Sequence, residues 1–372
     1  MLRGPLPGDP APSFRGRTEA HPAFPFGLAA GRYTVLAFAG SLRALGVQQA
    51  LATLLERHRG WFDDRRASFF GVSIDPGDEQ NGLLREAAPG IRYFRDFDFV
   101  ISQLYGVMTG SGTDHRYQPT LFLLDRSLRV IAALPIGSDM AAAEEMKRLI
   151  GALPDAEALA PLPQTKPQDA PVLLVARVFE TDFCQRLIAH YEAAGASPLS
   201  GFMQDLDGRS VEIRDRRHKT RRDLLVADRD LQEQIRLRLV ANLLPVIRQA
   251  FQFSASHIER YLVACYDSRD GGIFGPHRDD TTKATAHRRF AVTINLNDAF
   301  EGGDLVFPEF GPRTYRASIG GAVVFSCALL HQATLVRSGR RFACLPFLHD
   351  EPAERIRVGN VPFHSQKIIE RA

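Results

Sequence analysis

Three residues stand out for chemistry: His277 and Asp279, within His277-Arg278-Asp279, and His331 much further along the chain. On an extended segment, residues two apart project the same way, so His277 and Asp279 can grip one ion. His331, from a distant strand, completes one face of the ion. Two histidines and one carboxylate leave the opposite positions open for oxygen and a chelating co-substrate, an arrangement that suits non-haem Fe(II). His-x-Asp alone recurs by accident, and a single strand histidine is more often a core residue, so the neighbours carry the reading. Arg341 follows within HQATLVRSGRRFAC. Its planar, permanent charge suits a bidentate grip on a carboxylate of that co-substrate. An apolar flank, RFACLPF, sets it apart from a surface arginine, and alternation puts Arg341, Ala343 and Leu345 on one strand face with Arg340 and Phe342 on the other.

Strands must position these groups. Hydrophobic period predicts strands over 172–178, 257–267, 288–298, 303–310, 320–336 and 340–350, with turns of Gly and Asp, which suggests a β-sandwich or barrel. Helices are expected from Glu180 and Thr181, as cap candidates, through Tyr191, and over 228–251. The first part of the chain reads differently. Buried strands at 34–40 and 68–75 enclose a helix over 44–58 whose Leu45, Leu51, Leu54 and Leu55 share a face. A hairpin over 119–134, turning near 125–127, and a helix over 140–153 complete an α/β sandwich. Between the two parts, 153–170 is proline-rich without hydrophobic period and reads as a linker. The expected domains are therefore 1–152 and 171–372.

At 372 residues the chain accommodates two cores, and 45% apolar with 24% charged residues is the composition of a globular protein. No run reaches the ~18–20 apolar residues of a membrane span, and MLRGPLPGDPAP lacks the apolar centre of a secretory signal. The cytoplasm is the expected compartment, with no membrane partner. A net charge of +3 argues against a dedicated nucleic-acid binder. One basic stretch, Arg214 to Arg222, packs Arg216, Arg217, Lys219, Arg221 and Arg222 together. Such a run can contact phosphates, but it reads more as a solvated loop or a loop that meets an acidic partner through Arg216, Arg217, Arg221 and Arg222. All four cysteines, Cys184, Cys265, Cys327 and Cys344, lie in the second half without a CxxC pair, so a disulfide framework is not expected.

The first part resembles the peroxiredoxin (AhpC/TSA) branch of the thioredoxin-like fold. GDPAPSF is similar to that family's opening, FGVSID to its second central strand, and YQPTLFLLD to the segment holding its cis-proline, here Pro119. The family's peroxidatic cysteine follows the first buried strand, where a helix N-terminus lowers its pKa. Here that stretch is AFAGSLRALGVQQ, and the whole domain has no cysteine. A thiol peroxidase needs a thiol, so the domain is expected to be redox-inert, serving docking, dimerisation, substrate presentation or the folding of its neighbour.

The second part, from about Pro171 to Asp350, resembles the prolyl-4-hydroxylase-type 2-oxoglutarate/Fe(II) oxygenases. After the His-x-Asp come NLND, EGGDLVFPEFG, SIGGAVVF, His331, then Gly339 and Arg341, in the family's order. The resemblance implies a double-stranded β-helix (jelly-roll) core with flanking helices, Fe(II), 2-oxoglutarate and O2, with ascorbate as a candidate addition. It implies release of succinate and CO2 as a substrate is hydroxylated, and Asp279 argues against halogenation. Two positions depart from the pattern. Asn295 stands where a tyrosine usually touches the co-substrate, leaving Tyr266 and Thr293 as candidates for that contact, and Leu335 replaces a proline. The substrate, a small molecule or a protein or peptide, is not legible; a free or peptidyl amino-acid side chain fits the resemblance. A homodimer is compatible with all of this. Two other readings compete: a non-catalytic binding or scaffold protein, and a thiol redox enzyme, which the missing cysteine disfavours.

Overall fold

The computed structural model describes residues 4–55, 59–110, 116–137, 139–153, 169–195 and 198–371. It divides into two compact units, Met1–Gln168 with Pro308–Phe310, and Asp169–Phe307 with Gly311–Ala372. Most of the expected linker, 154–168, and the end of the expected helix, 56–58, lie outside the described residues.

Unit 1 is built on a five-stranded sheet in the order Ile91–Arg95, Ala67–Ser73, Tyr33–Gly40, Thr120–Leu124, Val130–Pro135. The first three strands run parallel and the last two antiparallel. The central strands are apolar throughout because both faces are covered. Helices Leu45–Leu55 and Ala141–Ala152 supply Leu51, Leu54, Met146 and Ile150 to one face. Phe26, Phe38, Phe70, Phe94 and Tyr105 fill the other. The hairpin turns where expected: Asp125 accepts the N–H groups of Ser127 and Arg129. This strand order and polarity are those of a thioredoxin-like fold. Pro119 departs from the resemblance: the cis peptide among the described residues is Ala88–Pro89.

Unit 2 is a jelly roll. Its larger sheet runs Leu173–Val175, Ala322–Ser326, Phe290–Asn295, Val336–Cys344, Leu262–Asp267, Arg222–Leu225. A smaller sheet runs Lys219–Thr220, Ile273–His277, His331–Ala333, Leu305–Val306, Thr314–Tyr315. From Leu262 onward the chain visits the two sheets alternately, which makes the double-stranded β-helix. Period-2 alternation assigns each side chain to a layer. Val263, Cys265, Val292, Ile294, Phe342 and Cys344 pack outward on helices Thr181–Ala193, Arg229–Asn242 and Leu244–Phe251. Burying each large aliphatic or aromatic side chain here contributes ~1.5–3 kcal/mol, enough to fix which face points out. Tyr266, Ala264, Ala343 and Leu345 then point inward with Phe274 and Ala333 of the smaller sheet.

Several expected elements are divided, among them the strand over 340–350, which splits into Val336–Cys344 and Phe347–His349. The helix over 228–251 is two helices broken at Leu243, because Pro245 cannot donate to the preceding turn and its ring clashes with it. The strand over 257–267 breaks at Arg260, which takes a positive φ of 50° between His257–Glu259 and Leu262–Asp267. The run 320–336 crosses from the larger sheet to the smaller after Ser326.

Candidate metal and co-substrate site

Strand Ile273–His277 pairs antiparallel with His331–Ala333, setting His277 opposite His331. Asp279 lies just past the strand end, where its N–H donates to the Cys327 carbonyl at 2.9 Å. The three side chains converge. His277 Nε2 is 3.5 Å from Asp279 Oδ1, and His331 Nε2 is 3.4 Å from Oδ2. One ligand atom from each lies within 4.8 Å of the others.

The imidazoles are preset for a cation. His277 Nδ1 donates to the Gly275 carbonyl at 2.8 Å and His331 Nδ1 to Leu329 at 3.0 Å. With each Nδ1 carrying the proton, both Nε2 lone pairs face Asp279. Phe274 stacks on His277 with ring centres 3.5 Å apart, and Phe325 lies 4.5 Å from His331. Burial, then the neighbouring His331, pushes His277 down to about 3 against the pull of Asp279, so its ring is neutral. Burial works to raise the Asp279 carboxyl, but His331 and His277 hold it below the usual carboxylate range. Two imidazoles and a carboxylate form a donor set that fits a divalent iron.

The inward face of the larger sheet carries the other candidates. Arg341 is 3% exposed and donates to Asn295 Oδ1 at 3.2 Å, its one side-chain hydrogen bond among the described residues. Its guanidinium lies 5.2 Å from the centre of the Tyr266 ring, opposite it in register. No carboxylate pairs with it among the described residues. A buried charge lacking a counter-ion is costly, so Arg341 fits a co-substrate carboxylate. Gly303, at φ +69°, gives its stem room, because a Cβ there would sit 3.0 Å from Arg341 Cδ. Its neighbour Gly302 has the Leu335 carbonyl where a Cβ would go. The Gly-Gly pair of the sequence motif thus has a steric cause.

Asn295 is not an altered co-substrate contact alone. Its Nδ2 donates to Ala317 at 2.7 Å while its Oδ1 receives Arg341, so the amide orients the arginine. Tyr266 accepts at its hydroxyl from Arg221, at 3.2 Å. Thr293 is buried on the strand face it shares with Asn295.

The basic stretch is not a solvated loop. Lys219–Thr220 and Arg222–Leu225 are strands of the two sheets, and Lys219 and Arg221 are buried. Arg221 grips Asp223 through two 2.6 Å bonds. Arg222 pairs with Asp270, Arg217 with Asp215, and Arg214 with Glu212. Most of the positive charge is therefore answered within the chain, which removes the case for an acidic partner at this surface. The signal overlooked in the sequence is the alternation Lys219, Arg221, Asp223, in which a carboxylate at the same spacing as two cations marks an internal pair.

All four cysteines are free and buried. Burial raises Cys184 and Cys265 to about 11 and Cys344 to about 12, so these remain thiols at neutral pH. Among the described residues no helix is long and apolar enough to cross a membrane.

Comparison with known proteins bears on the same segment. The 2OG-Fe(II) oxygenase superfamily matches residues 261–349. A PKHD-type hydroxylase of Maricaulis maris is 34% identical over 90 residues, 23% of this chain, and the chain spans 40% of that relative's length. Among solved structures, the viral collagen prolyl hydroxylase of Paramecium bursaria Chlorella virus-1 is 15% identical with a TM-score of 0.35, over 48% of this chain and 96% of its own. The peroxidoxin BcpB of Mycobacterium tuberculosis is 18% identical with a TM-score of 0.35, over 40% of this chain and 98% of its own. The segment of this chain that matches the 2OG-Fe(II) oxygenase superfamily holds His277, Asp279, His331 and Arg341 together.

Proposed function

We propose that this protein is an Fe(II)- and 2-oxoglutarate-dependent dioxygenase that hydroxylates an amino-acid side chain, free or peptidyl, releasing succinate and CO2. The convergence of the His277, Asp279 and His331 ligand atoms within 4.8 Å carries the reading. In it, His277 Nε2, Asp279 and His331 Nε2 hold the metal, which when bound supplies the reaction of O2 with 2-oxoglutarate. Ascorbate is a candidate reductant for the resting metal.

The chain's own part is to bind and orient. The Gly275 and Leu329 carbonyls lock the two imidazoles in the tautomer that presents Nε2. Phe274 and Phe325 pack against the rings, and the lower polarity they bring strengthens the charge interactions beside them. Arg341, aimed by Asn295, takes the distal carboxylate of 2-oxoglutarate, with Tyr266 beside it and Thr293 on the neighbouring strand. Residues 1–152 form a redox-inert thioredoxin-like module, since none of them is a cysteine, and the protein works in the cytoplasm.

The test is anaerobic titration of the full chain with Fe(II), then 2-oxoglutarate, watching the weak visible charge-transfer band of the chelate. A band in the wild type that is lost in His277→Ala is the expected outcome. A wild type that retains no metal and gives no band overturns the proposal in favour of a non-catalytic binding protein.

A further inference from the structure

We propose that Lys219, backed by Arg221, is a second anion site in unit 2, one that receives a carboxylate on the primary substrate. The proposal rests on the oxygenase reading above and names the class of molecule to be oxidised.

Three cations lie buried within this unit close to two aromatic rings: Lys219, 6% exposed, Arg221, 5%, and Arg341, 3%. Arg221 touches both rings, at 5.7 Å from the centre of Phe274 and 5.6 Å from that of Tyr266. Lys219 lies at Phe274, its Nζ 4.9 Å from the ring centre, whereas Arg341 lies at Tyr266. Phe274 is the ring that stacks on His277. The ammonium therefore lies one ring away from a metal ligand, and the guanidinium of Arg341 belongs to the ring assigned to the co-substrate.

Counter-charge is short at the Lys219 end. Asp223 is the carboxylate shared by the pair, and both its oxygens are taken by Arg221 at 2.6 Å. Lys219 reaches it at 3.9 Å, beyond hydrogen-bond range, and has one hydrogen bond, to the Gly201 carbonyl at 2.5 Å. Two of the three ammonium donors have no hydrogen-bond partner among the described residues. Burial, then the charge of Arg221, pulls the Lys219 pKa well below its ordinary value, as expected of a buried cation in want of an anion. Such a group costs several kcal/mol to bury, and a methionine would fill the same space without that cost. Of these three cations, with Arg221 already neutralised and Arg341 assigned to 2-oxoglutarate, one uncommitted positive charge remains beside Phe274. That matches one carboxylate and falls short of a phosphate dianion.

The experiment is calorimetric titration of the full chain, loaded with Fe(II) and 2-oxoglutarate without oxygen, against a fixed panel. The panel comprises free L-proline, L-leucine and L-lysine with their C-amides, and doubly capped aspartate with doubly capped asparagine. The first arm reports an α-carboxylate and the second a side-chain carboxylate in a peptide. We expect at least one acid to bind about tenfold or more tightly than its neutral counterpart, the scale of a buried charge-assisted bond. Lys219→Met should erase that difference and Lys219→Arg should keep it, both leaving 2-oxoglutarate binding within about twofold, which also certifies the fold. Acids that bind no better than their amides, or not at all, overturn the proposal. So does a Lys219→Met chain whose 2-oxoglutarate binding weakens in step, because the lysine would then belong to the co-substrate site. A wild type that takes up no 2-oxoglutarate overturns the oxygenase reading itself, a failure visible before any acid is added.

Discussion

Each unit buries a charge completely, and the two are treated in opposite ways. In unit 1, Asp78 is 0% exposed and lies against the loop leading into helix Leu45–Leu55. It accepts the Leu42 N–H at 2.8 Å and the hydroxyls of Ser73 and Ser41 at 2.7 and 3.3 Å. This is the stretch where a peroxiredoxin would carry its thiol, and here it is tied shut by the chain's own donors. In unit 2, Arg341 is just as deep but has one neutral partner, Asn295. A charge answered internally holds the fold together; one left short of partners marks where a ligand is to come.

The comparison breaks most visibly at Arg341. Arg341→Leu removes the proposed partner of the distal carboxylate, and losing one member of a buried charge pair costs ~2–5 kcal/mol. The dissociation constant for 2-oxoglutarate, measured by anaerobic titration, should rise by about 100-fold or more while Fe(II) is retained as in the wild type. Unchanged affinity would mean that Arg341 is structural, like Asp78.

The converse change is Asp78→Ala. It strands the Leu42 N–H in the core and takes one acceptor from the Ser73 and Ser41 hydroxyls, at ~1–3 kcal/mol for the buried group left unsatisfied. Calorimetry should show the unit 1 transition lowered by several degrees, at about 2–4 °C per kcal/mol for a domain of this size. Fe(II) binding should not move. A loss of metal binding would contradict the separation of roles drawn between the units.

A smaller effect in unit 1 appears with pH. Burial works to raise the Asp64 carboxyl, but bonds from Arg92 and Ser68 and the charge of Arg32 lower it to about 2. A carboxylate held below its unfolded value adds stability above that unfolded value, near pH 4, and loses it as pH falls through the folded one. The shift corresponds to ~2 kcal/mol. Denaturant unfolding from pH 5 to pH 2 should show Asp64→Asn less stable than the wild type at the upper end, with the gap closing toward the lower. A gap that stays constant would locate the contribution outside this ionisation.

What the sequence made legible follows the strength of local signals. The buried strands Tyr33–Gly40 and Ala67–Ser73 and the hairpin Thr120–Leu124 with Val130–Pro135 lie where apolar runs and turn residues put them. His277, Asp279 and His331 come together as the His-x-Asp spacing suggested. Less legible was whatever depends on partners remote in the chain. Strand Ile91–Arg95 is short and interleaves arginines with apolar residues, so period alone does not reveal it. Lys219 and Arg221 read as surface charge because neither Phe274 nor Tyr266, which they touch, is near them in sequence. Asn295 drew notice as a missing tyrosine; its role in aiming Arg341 required knowing that the two strands face inward together.

That role gives the subtlest test. Asn295 holds Arg341 from one side and the Ala317 carbonyl from the other, so its amide fixes where the guanidinium points without supplying charge. Asn295→Ala leaves the full positive charge in place and removes only its orientation. Holding a planar group for a bidentate partner is worth roughly one charge-assisted hydrogen bond, ~1.5–3 kcal/mol at most. The 2-oxoglutarate dissociation constant should therefore rise by about tenfold, well short of the Arg341→Leu effect, with Fe(II) retention unchanged. The double variant should be no worse than Arg341→Leu alone, because an orienting residue has nothing left to orient. If the two losses simply add, Asn295 touches the co-substrate itself, and the position keeps the contact that a tyrosine would have made.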